Sequence, residues 1–433
     1  MNRFLYTLVF YLALPAILLR LLWRSRQNPA YRRRWRERLG FYRRRDVEKP
    51  GRRILFHAVS VGEVHAASPF IRAWQREHPN DALVLTCTTP TGSSRIEALF
   101  GSSLQHVYLP YDLPGAVQRF LNFFKPDVLV LMETELWPNL LHHSQRRGIR
   151  IVLANARLSQ KSFQRYRRIA ALSKLMLRQI DILMAQTDAD AQRFLALGLA
   201  PDKVRVTGSM KFDIDIPDGI QSAGASLRER LGRHRPVMIA GSTRDGEEAR
   251  VLRAFRQIVQ SLPEAVLILV PRHPERFDAV FELCRAAGFT VQRSSGHAAG
   301  SQAASLAETR ILLGDALGEL LRYYAAADVA FVGGSLVAAG GQNILEPAAL
   351  GLPVITGPSL FNFQGVSDVL VAAGGMRVVK DENELAQQVT ALLQHPQERL
   401  AMGAEARAVV QDNRGASLEL MGLIDEVLAD ARQ

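Results

Sequence analysis

The sequence predicts an α/β protein with two Rossmann-like halves, each a parallel sheet wound with helices, behind an N-terminal apolar helix. Three observations carry that prediction. From residue 52 onward short apolar runs alternate with helix-length stretches, the pattern of repeated βα units. The alternation lapses once, around residues 212–235, and then resumes. Ahead of it stands FLYTLVFYLALPAILL, Phe4 to Leu19, a run of 16 residues broken only by Thr7. The expected organisation is an anchor and basic segment over 1–51, a first domain over 52–211, a linker over 212–235 and a second domain over 236–433.

The N-terminal run is short for a spanning helix, which needs about 20 apolar residues, although Leu21, Leu22 and Trp23 extend it and Pro15 would bend it. Arg20, Arg24 and Arg26 follow where a signal peptide would carry a small-residue cleavage site, so the segment reads as an uncleaved anchor. The net charge of +12 belongs to the same region. Between Arg20 and Arg53 there are 14 Lys or Arg against Glu37, Asp46 and Glu48, whereas beyond this stretch and Arg3 the chain holds 39 basic and 39 acidic residues. A cluster so confined suits anionic lipid headgroups and puts the rest of the chain on the cytoplasmic side. It does not suit a nucleic-acid binder, whose basic footprint and reading motifs would extend through the domains.

In the first half the apolar runs predict strands at Ile54–Val59, Leu83–Cys87, His106–Leu109, Val128–Met132, Arg150–Asn155, Ile182–Gln186 and Val204–Thr207. In the second half they predict strands at Val237–Ala240, Ala265–Val270, Phe289–Arg293, Ile311–Gly314, Val329–Val332, Pro353–Thr356 and Met376–Val379. Between them, FDIDIPDGIQSAGASLRERLGRHRP loses strand character and gains Asp, Gly, Pro and Arg. Two such halves are expected to leave a cleft, with ligands outside the carboxyl ends of the strands. Cys87 and Cys284 fall in different halves, so neither a disulfide framework nor a cysteine metal site is expected, and a reducing compartment fits.

The residues with chemical potential sit at the predicted strand ends. Ser60, Gly62 and Glu63 follow the first strand, and an ionised Glu63 could accept a proton from an alcohol. The position equally suits an ordinary first-turn acid favoured by the helix dipole, and the residues alone leave both readings open. Glu133 and Glu135, in METELWPN, are two apart and would share one strand face, where unpartnered acids are costly. Lys211, in TGSMKFD, could meet a phosphate or developing negative charge, or be a solvated hinge lysine.

In the second half, Gly241, Ser242 and Thr243 form a glycine and hydroxyl turn. Pro271, Arg272 and His273 end a strand, with an arginine suited to phosphate or base. Leu317, Gly318 and Glu319 begin a helix. VGGSLVAAGGQNILEP then combines bare backbone with Asn343, Ile344, Leu345 and Glu346, an arrangement that would let backbone N–H groups approach a phosphate. No HExxH, P-loop or GxGxxG motif occurs, so zinc hydrolysis, P-loop ATP hydrolysis and hydride transfer are unsupported.

With HAVSVGE, METELWPN, NARLS, TGSMKFD, VPRHPER, GDALGEL, VGGSLVAAGGQNILEP and GPSLFNF in this order, the chain resembles the 3-deoxy-D-manno-octulosonic acid (Kdo) transferases from the anchor through its last third. The resemblance implies a glycosyltransferase B fold and metal-independent, inverting transfer. It implies no cofactor, CMP-Kdo as donor, and a lipid A precursor at the cytoplasmic face of the inner membrane as acceptor. It also implies that Glu63 is the general base and that Glu133 and Lys211 stabilise the transition state. Pro271 with Arg272, Leu317 to Glu319, and Asn343 to Glu346 would hold CMP, Glu346 at the ribose hydroxyls. One departure is GGQNILE where other members carry GGHNPLE, which puts Gln342 in place of a histidine. The alternatives are a UDP-sugar transferase or epimerase on the same plan, or a non-catalytic membrane-tethered binding protein. Oligomeric state and the number of Kdo units added are not legible from these residues.

Overall fold

A computed structural model describes residues 2–43, 49–297 and 306–430; residues 44–48 of the expected basic segment lie outside the described residues. The chain divides into two compact units, Met1–Asp213 with Asn413–Gln433, and Ile214–Asp412.

The first unit holds a seven-stranded sheet. Its strands are β1 (Arg53–His57), β2 (Ala82–Cys87), β3 (Gln105–Tyr108), β4 (Val128–Met132), β5 (Arg150–Ala156), β6 (Ile182–Ala185) and β7 (Val204–Val206). They run in the order β3-β2-β1-β4-β5-β6-β7, every pair parallel. Because successive side chains in a strand point to opposite faces, β1 feeds two cores. Ile54 and Phe56 pack with Phe70 and Trp74 of helix Val61–Glu77, while Leu55 packs with Phe120 and Phe124 of helix Pro114–Phe124. Both faces are therefore dry, which explains why β4 reads as the unbroken apolar run VLVLM, buried throughout.

The second unit repeats the plan with β8 (Val237–Thr243), β9 (Val266–Pro271), β10 (Val291–Arg293), β11 (Ile311–Leu313), β12 (Val329–Val332), β13 (Val354–Thr356) and β14 (Met376–Val378). The order is β10-β11-β9-β8-β12-β13-β14, again parallel. In each sheet the chain switches from one side to the other between two central neighbours, β1 and β4 in the first and β8 and β12 in the second, where β11 also inserts between β9 and the edge strand β10. In open α/β sheets the carboxyl ends at such a reversal are where ligands bind.

Two expected boundaries need correction. The stretch expected as linker contains a helix, Ile220–Leu231, whose Leu227 and Leu231 are buried in the second unit with Tyr323 and Tyr324. The last 21 residues, expected in the second domain, belong to the first unit. There Leu420, Met421, Ile424 and Val427 of helix Ala416–Asp430 join the core of Ile54, Phe70 and Trp74. Asp213 holds the start of that helix, its carboxylate accepting the Gly415 and Ser417 N–H groups at 2.7 Å each. Arg52 ties its far end, with Nη1 2.5 Å from Asp425. Both cysteines are buried and free.

Candidate functional site

In the first unit, Glu63, Glu133 and Lys211 come together at the carboxyl ends of the central strands. Ser60 caps helix Val61–Glu77, its hydroxyl accepting the Glu63 N–H. It also donates to Glu63 Oε1 at 2.9 Å, while the Val59 N–H donates to Oε2 at 2.8 Å. This reciprocal arrangement is a capping box shifted by one residue, so the first-turn role foreseen for Glu63 is realised. It does not exhaust the carboxyl group. Glu63 is only 8% exposed, and burial, reinforced by the nearby charges of Glu133 and Glu135, pushes its pKa up to about 7 against the two hydrogen bonds. Burial likewise raises Glu135, with Glu133 adding to it.

Glu133 and Glu135 do not share a strand face as expected, because β4 ends at Met132. Glu133 is left-handed, with φ of 54°, and its N–H reaches the Ala154 carbonyl at 3.0 Å. A turn, not strand alternation, brings the two acids near each other. A non-glycine residue in this region costs of order 1 kcal/mol and persists only where its surroundings hold it. Asn155, also left-handed at φ 53°, accepts the Met210 N–H through Oδ1 at 3.1 Å and so fixes the 3₁₀ turn Met210–Phe212 that carries Lys211. Burial lowers the Lys211 pKa; Glu133 and Glu63 oppose that shift and Arg157 adds to it. Arg157 was not singled out from the sequence, although it lies within NARLS.

In the second unit the reversal brings together the turns that follow β8 and β12, with the turn after β9 beside them. Pro271 ends β9, and the Arg272 N–H donates to the Thr243 carbonyl at 3.0 Å. Asn343 donates from Nδ2 to Glu346 Oε1 at 2.9 Å and accepts the Leu345 N–H, holding Glu346 in the first turn of the short helix Leu345–Ala349 with Ile344 at its cap. Tyr324 is buried, and its hydroxyl has no hydrogen-bond partner among the described residues. A Cβ on Gly241 would collide with that hydroxyl, so the glycine is required there by close approach. Gly318 is left-handed ahead of helix Leu320–Ala325, Leu317 is exposed, and Glu319 pairs with Arg322 at 2.8 Å. No ion pair among the described residues ties Glu319 to the other candidates.

The glycine-rich loop does not present its backbone as expected. The N–H groups of Gly334, Ser335 and Leu336 all donate to the carboxylate of Glu247, at 2.6, 3.0 and 2.9 Å. A fourth donor to Glu247 is the Arg244 N–H, at 3.1 Å. The N–H groups of Gly333, Gly340, Gly341 and Gln342 are taken by the Gly241 carbonyl, Ser359 Oγ, the Gly334 carbonyl and the Gly333 carbonyl. Glu247 is fully buried, so the anion this loop embraces is one of the chain's own side chains. Its place in the first turn of helix Glu247–Ser261 was visible in the sequence, but its partners were not. Among the described residues no group of three or more His, Cys, Asp or Glu could hold a metal ion.

Residues 33–214 match the family described as 3-Deoxy-D-manno-octulosonic-acid transferase (kdotransferase). The 3-deoxy-D-manno-octulosonic acid transferase of Haemophilus influenzae is 41% identical over 429 residues, 99% of either chain. That of Bordetella pertussis is 38% identical over 87% of either chain. Among solved structures, Anabaena HepE in complex with UDP superposes with a TM-score of 0.56 at 13% identity, over 88% of this chain and all of the other. The UDP-GlcNAc 2-epimerase of Neisseria meningitidis bound to UDP-GlcNAc gives 0.53 at 15% identity, over 86% of this chain and all of the other. At these identities the two structures speak for the fold alone, that of the glycosyltransferase B type.

Proposed function

The chain belongs to the 3-deoxy-D-manno-octulosonic acid (Kdo) transferase family of glycosyltransferases, and we propose that it moves Kdo from CMP-Kdo to a lipid A precursor with inversion and without a metal. The observation that carries the reading is the triad at the β1–β4 reversal: a carboxyl group with its pKa near neutrality, a second carboxylate, and a half-buried ammonium. A base is most effective when its pKa lies near the working pH. Glu63 takes the proton of the acceptor hydroxyl as its oxygen bonds to the anomeric carbon of Kdo. The bond from that carbon to the phosphate oxygen breaks, and CMP leaves with the electron pair. Glu133 faces the positive charge growing on the sugar, and Lys211 the negative charge nearby.

The donor falls to the second unit, where Glu346, oriented by Asn343, suits the ribose hydroxyls and Arg272 suits phosphate or base. Replacing Arg272 by Ala is expected to raise the KM for CMP-Kdo by about tenfold or more, the worth of one charge-assisted contact, while leaving the lipid KM within about twofold. Steady-state kinetics with each substrate varied in turn distinguishes these. The reading as a whole is tested by incubating the purified protein with CMP-Kdo and a lipid A precursor in detergent containing a chelator. The expected product is heavier by one or more Kdo residues, and unchanged lipid mass would refute the assignment.

Membrane attachment falls to helix Arg3–Gln27, long and apolar enough to cross a bilayer, with Phe4, Leu12, Leu19 and Trp23 exposed. Its first turns are fastened to the first unit. Arg3 Nη1 donates to Asn139 Oδ1 at 3.0 Å, Thr7 and Asn139 exchange hydrogen bonds, and the rings of Phe10 and Tyr111 lie 6.5 Å apart. A helix end held by the same unit that carries the basic segment is not free to reach the far side of about 30 Å of hydrocarbon. This supports a helix lying in the cytoplasmic interface of the inner membrane, its arginines on anionic headgroups. Cysteine placed at Asn2 should then react with a membrane-impermeant maleimide in inverted inner-membrane vesicles and not in intact spheroplasts. The opposite labelling pattern would mean that the helix spans.

A further inference from the structure

The capture of the glycine-loop N–H groups by Glu247 leaves a question of charge at the β8–β12 reversal. From Val329 to Gly375 the sequence contains no Lys, Arg or His, so this loop and the helix after it bring no cation. A donor such as CMP-Kdo carries two anionic groups, a phosphodiester and the carboxylate of the sugar. With the N–H groups of Gly333 to Leu336 and of Gly340 to Gln342 taken within the protein, these loop positions offer an anion no open backbone donor, and side chains on the neighbouring strand ends are the source of positive charge.

Among the described residues, two guanidinium groups there have no carboxylate partner. Arg244 follows β8, directly at the reversal, and Arg272 follows β9. Arg276, by contrast, is engaged by Asp245 and Glu248. Among the described residues Arg244 makes no ion pair; its Nη1 donates to His273 Nε2, and its Nε is buried with no hydrogen-bond partner. Burial and the adjacent Arg244 lower the His273 pKa from its usual value, which suits a ring nitrogen accepting from the guanidinium. A Cβ placed on Gly334 would lie 3.0 Å from Gln342 Nε2 and 3.5 Å from Arg244 Cγ, so both side chains stand beside that glycine. The backbone of Arg244 is itself clamped, because its N–H joins the loop on Glu247.

We infer that Arg244 is a donor-binding residue, which supplies beside the uncharged Gln342 the positive charge for an anionic group of the donor. Glu247 locks the β8 and β12 turns together and so sets where that guanidinium stands. The inference rests on the reading of the chain as a CMP-Kdo-dependent transferase and adds a residue to its donor site.

The test uses the full-length, detergent-solubilised protein, the variants Arg244→Gln and Arg244→Lys, CMP titrated by calorimetry, and transfer kinetics with CMP-Kdo. Arg244→Gln should raise the KM for CMP-Kdo at least tenfold while the lipid KM stays within twofold and the melting temperature is held. Arg244→Lys, which keeps the charge but not the two-pronged geometry, should fall between. A parallel loss of CMP affinity puts the guanidinium on the phosphate. Unchanged CMP affinity with a raised KM for CMP-Kdo puts it on the sugar carboxylate, and both results uphold the donor role. A donor KM equal to that of the unaltered protein in both variants would overturn it while leaving the transferase reading intact. An unaltered protein that neither binds CMP nor transfers Kdo would remove that reading and this inference with it.

Discussion

Glu63→Gln is expected to reduce Kdo transfer by about 10²- to 10⁴-fold, the usual contribution of a positioned base, with CMP binding unchanged. The amide still accepts the Val59 N–H through its oxygen, so the shifted capping box survives in part, but it takes no proton. The same carboxyl group predicts a pH profile. With a pKa raised to about 7, Glu63 is protonated and idle below neutrality, so kcat/KM should climb about tenfold per pH unit below pH 7 and level off above it. Stability runs the opposite way. A carboxyl group whose pKa in the folded chain exceeds its unfolded value of about 4.5 favours the fold fully at low pH, and that advantage is lost as pH rises through about 7. Glu63→Gln abolishes this term, so its melting temperature relative to the unaltered chain should rise between pH 5 and pH 8. Near-normal turnover in the variant, or a flat kcat/KM between pH 5 and pH 8, would dismiss Glu63 as the base.

Glu247→Ala should unfold or severely weaken the second unit. Four backbone N–H groups converge on this one carboxylate, and the residue is entirely buried. Each buried donor left without an acceptor costs about 1–3 kcal/mol, so the loss amounts to several kcal/mol even after some rearrangement. That is a large share of the 5–15 kcal/mol by which a domain is ordinarily stable. Denaturant melts should show a lowered midpoint, and Glu247→Gln, which keeps an acceptor oxygen, should lie between. An unfolding free energy within about 0.5 kcal/mol of the unaltered protein would mean that the loop is held by other contacts.

The alternation of apolar runs located all fourteen strands to within three residues at either end, because the central strands, dry on both faces, must be apolar throughout, and this is a local property of the chain. The helix over Ile220–Leu231 escaped notice because its Gly, Ser and Arg content masks the two leucines that bury it. The return of helix Ala416–Asp430 to the first unit was invisible for another reason. Asp213 and Gly415 are partners across some 200 residues of chain, and neither residue type advertises the other.

The candidate site divides along the same line. Glu63, Glu133, Lys211, Arg272 and Asn343 to Glu346 could be picked out because strand ends are where side chains meet ligands, and strand ends follow from periodicity. Their order along the chain, through its resemblance to a known family, supplied the chemistry. What the local pattern could not supply was the pairing between segments. Only the folded chain sets Glu133 in a left-handed turn beside Glu63, lowers the Lys211 pKa by burial, fills the glycine loop with Glu247, and leaves Arg244 with no carboxylate partner among the described residues. By itself the sequence determined the strands, the N-terminal apolar helix and the residue types at the strand ends, since these depend on neighbours a few positions apart. The tertiary structure decided which charges share a site and which backbone donors remain open, since electrostatic and hydrogen-bond energies depend on distances in space that separation along the chain does not encode.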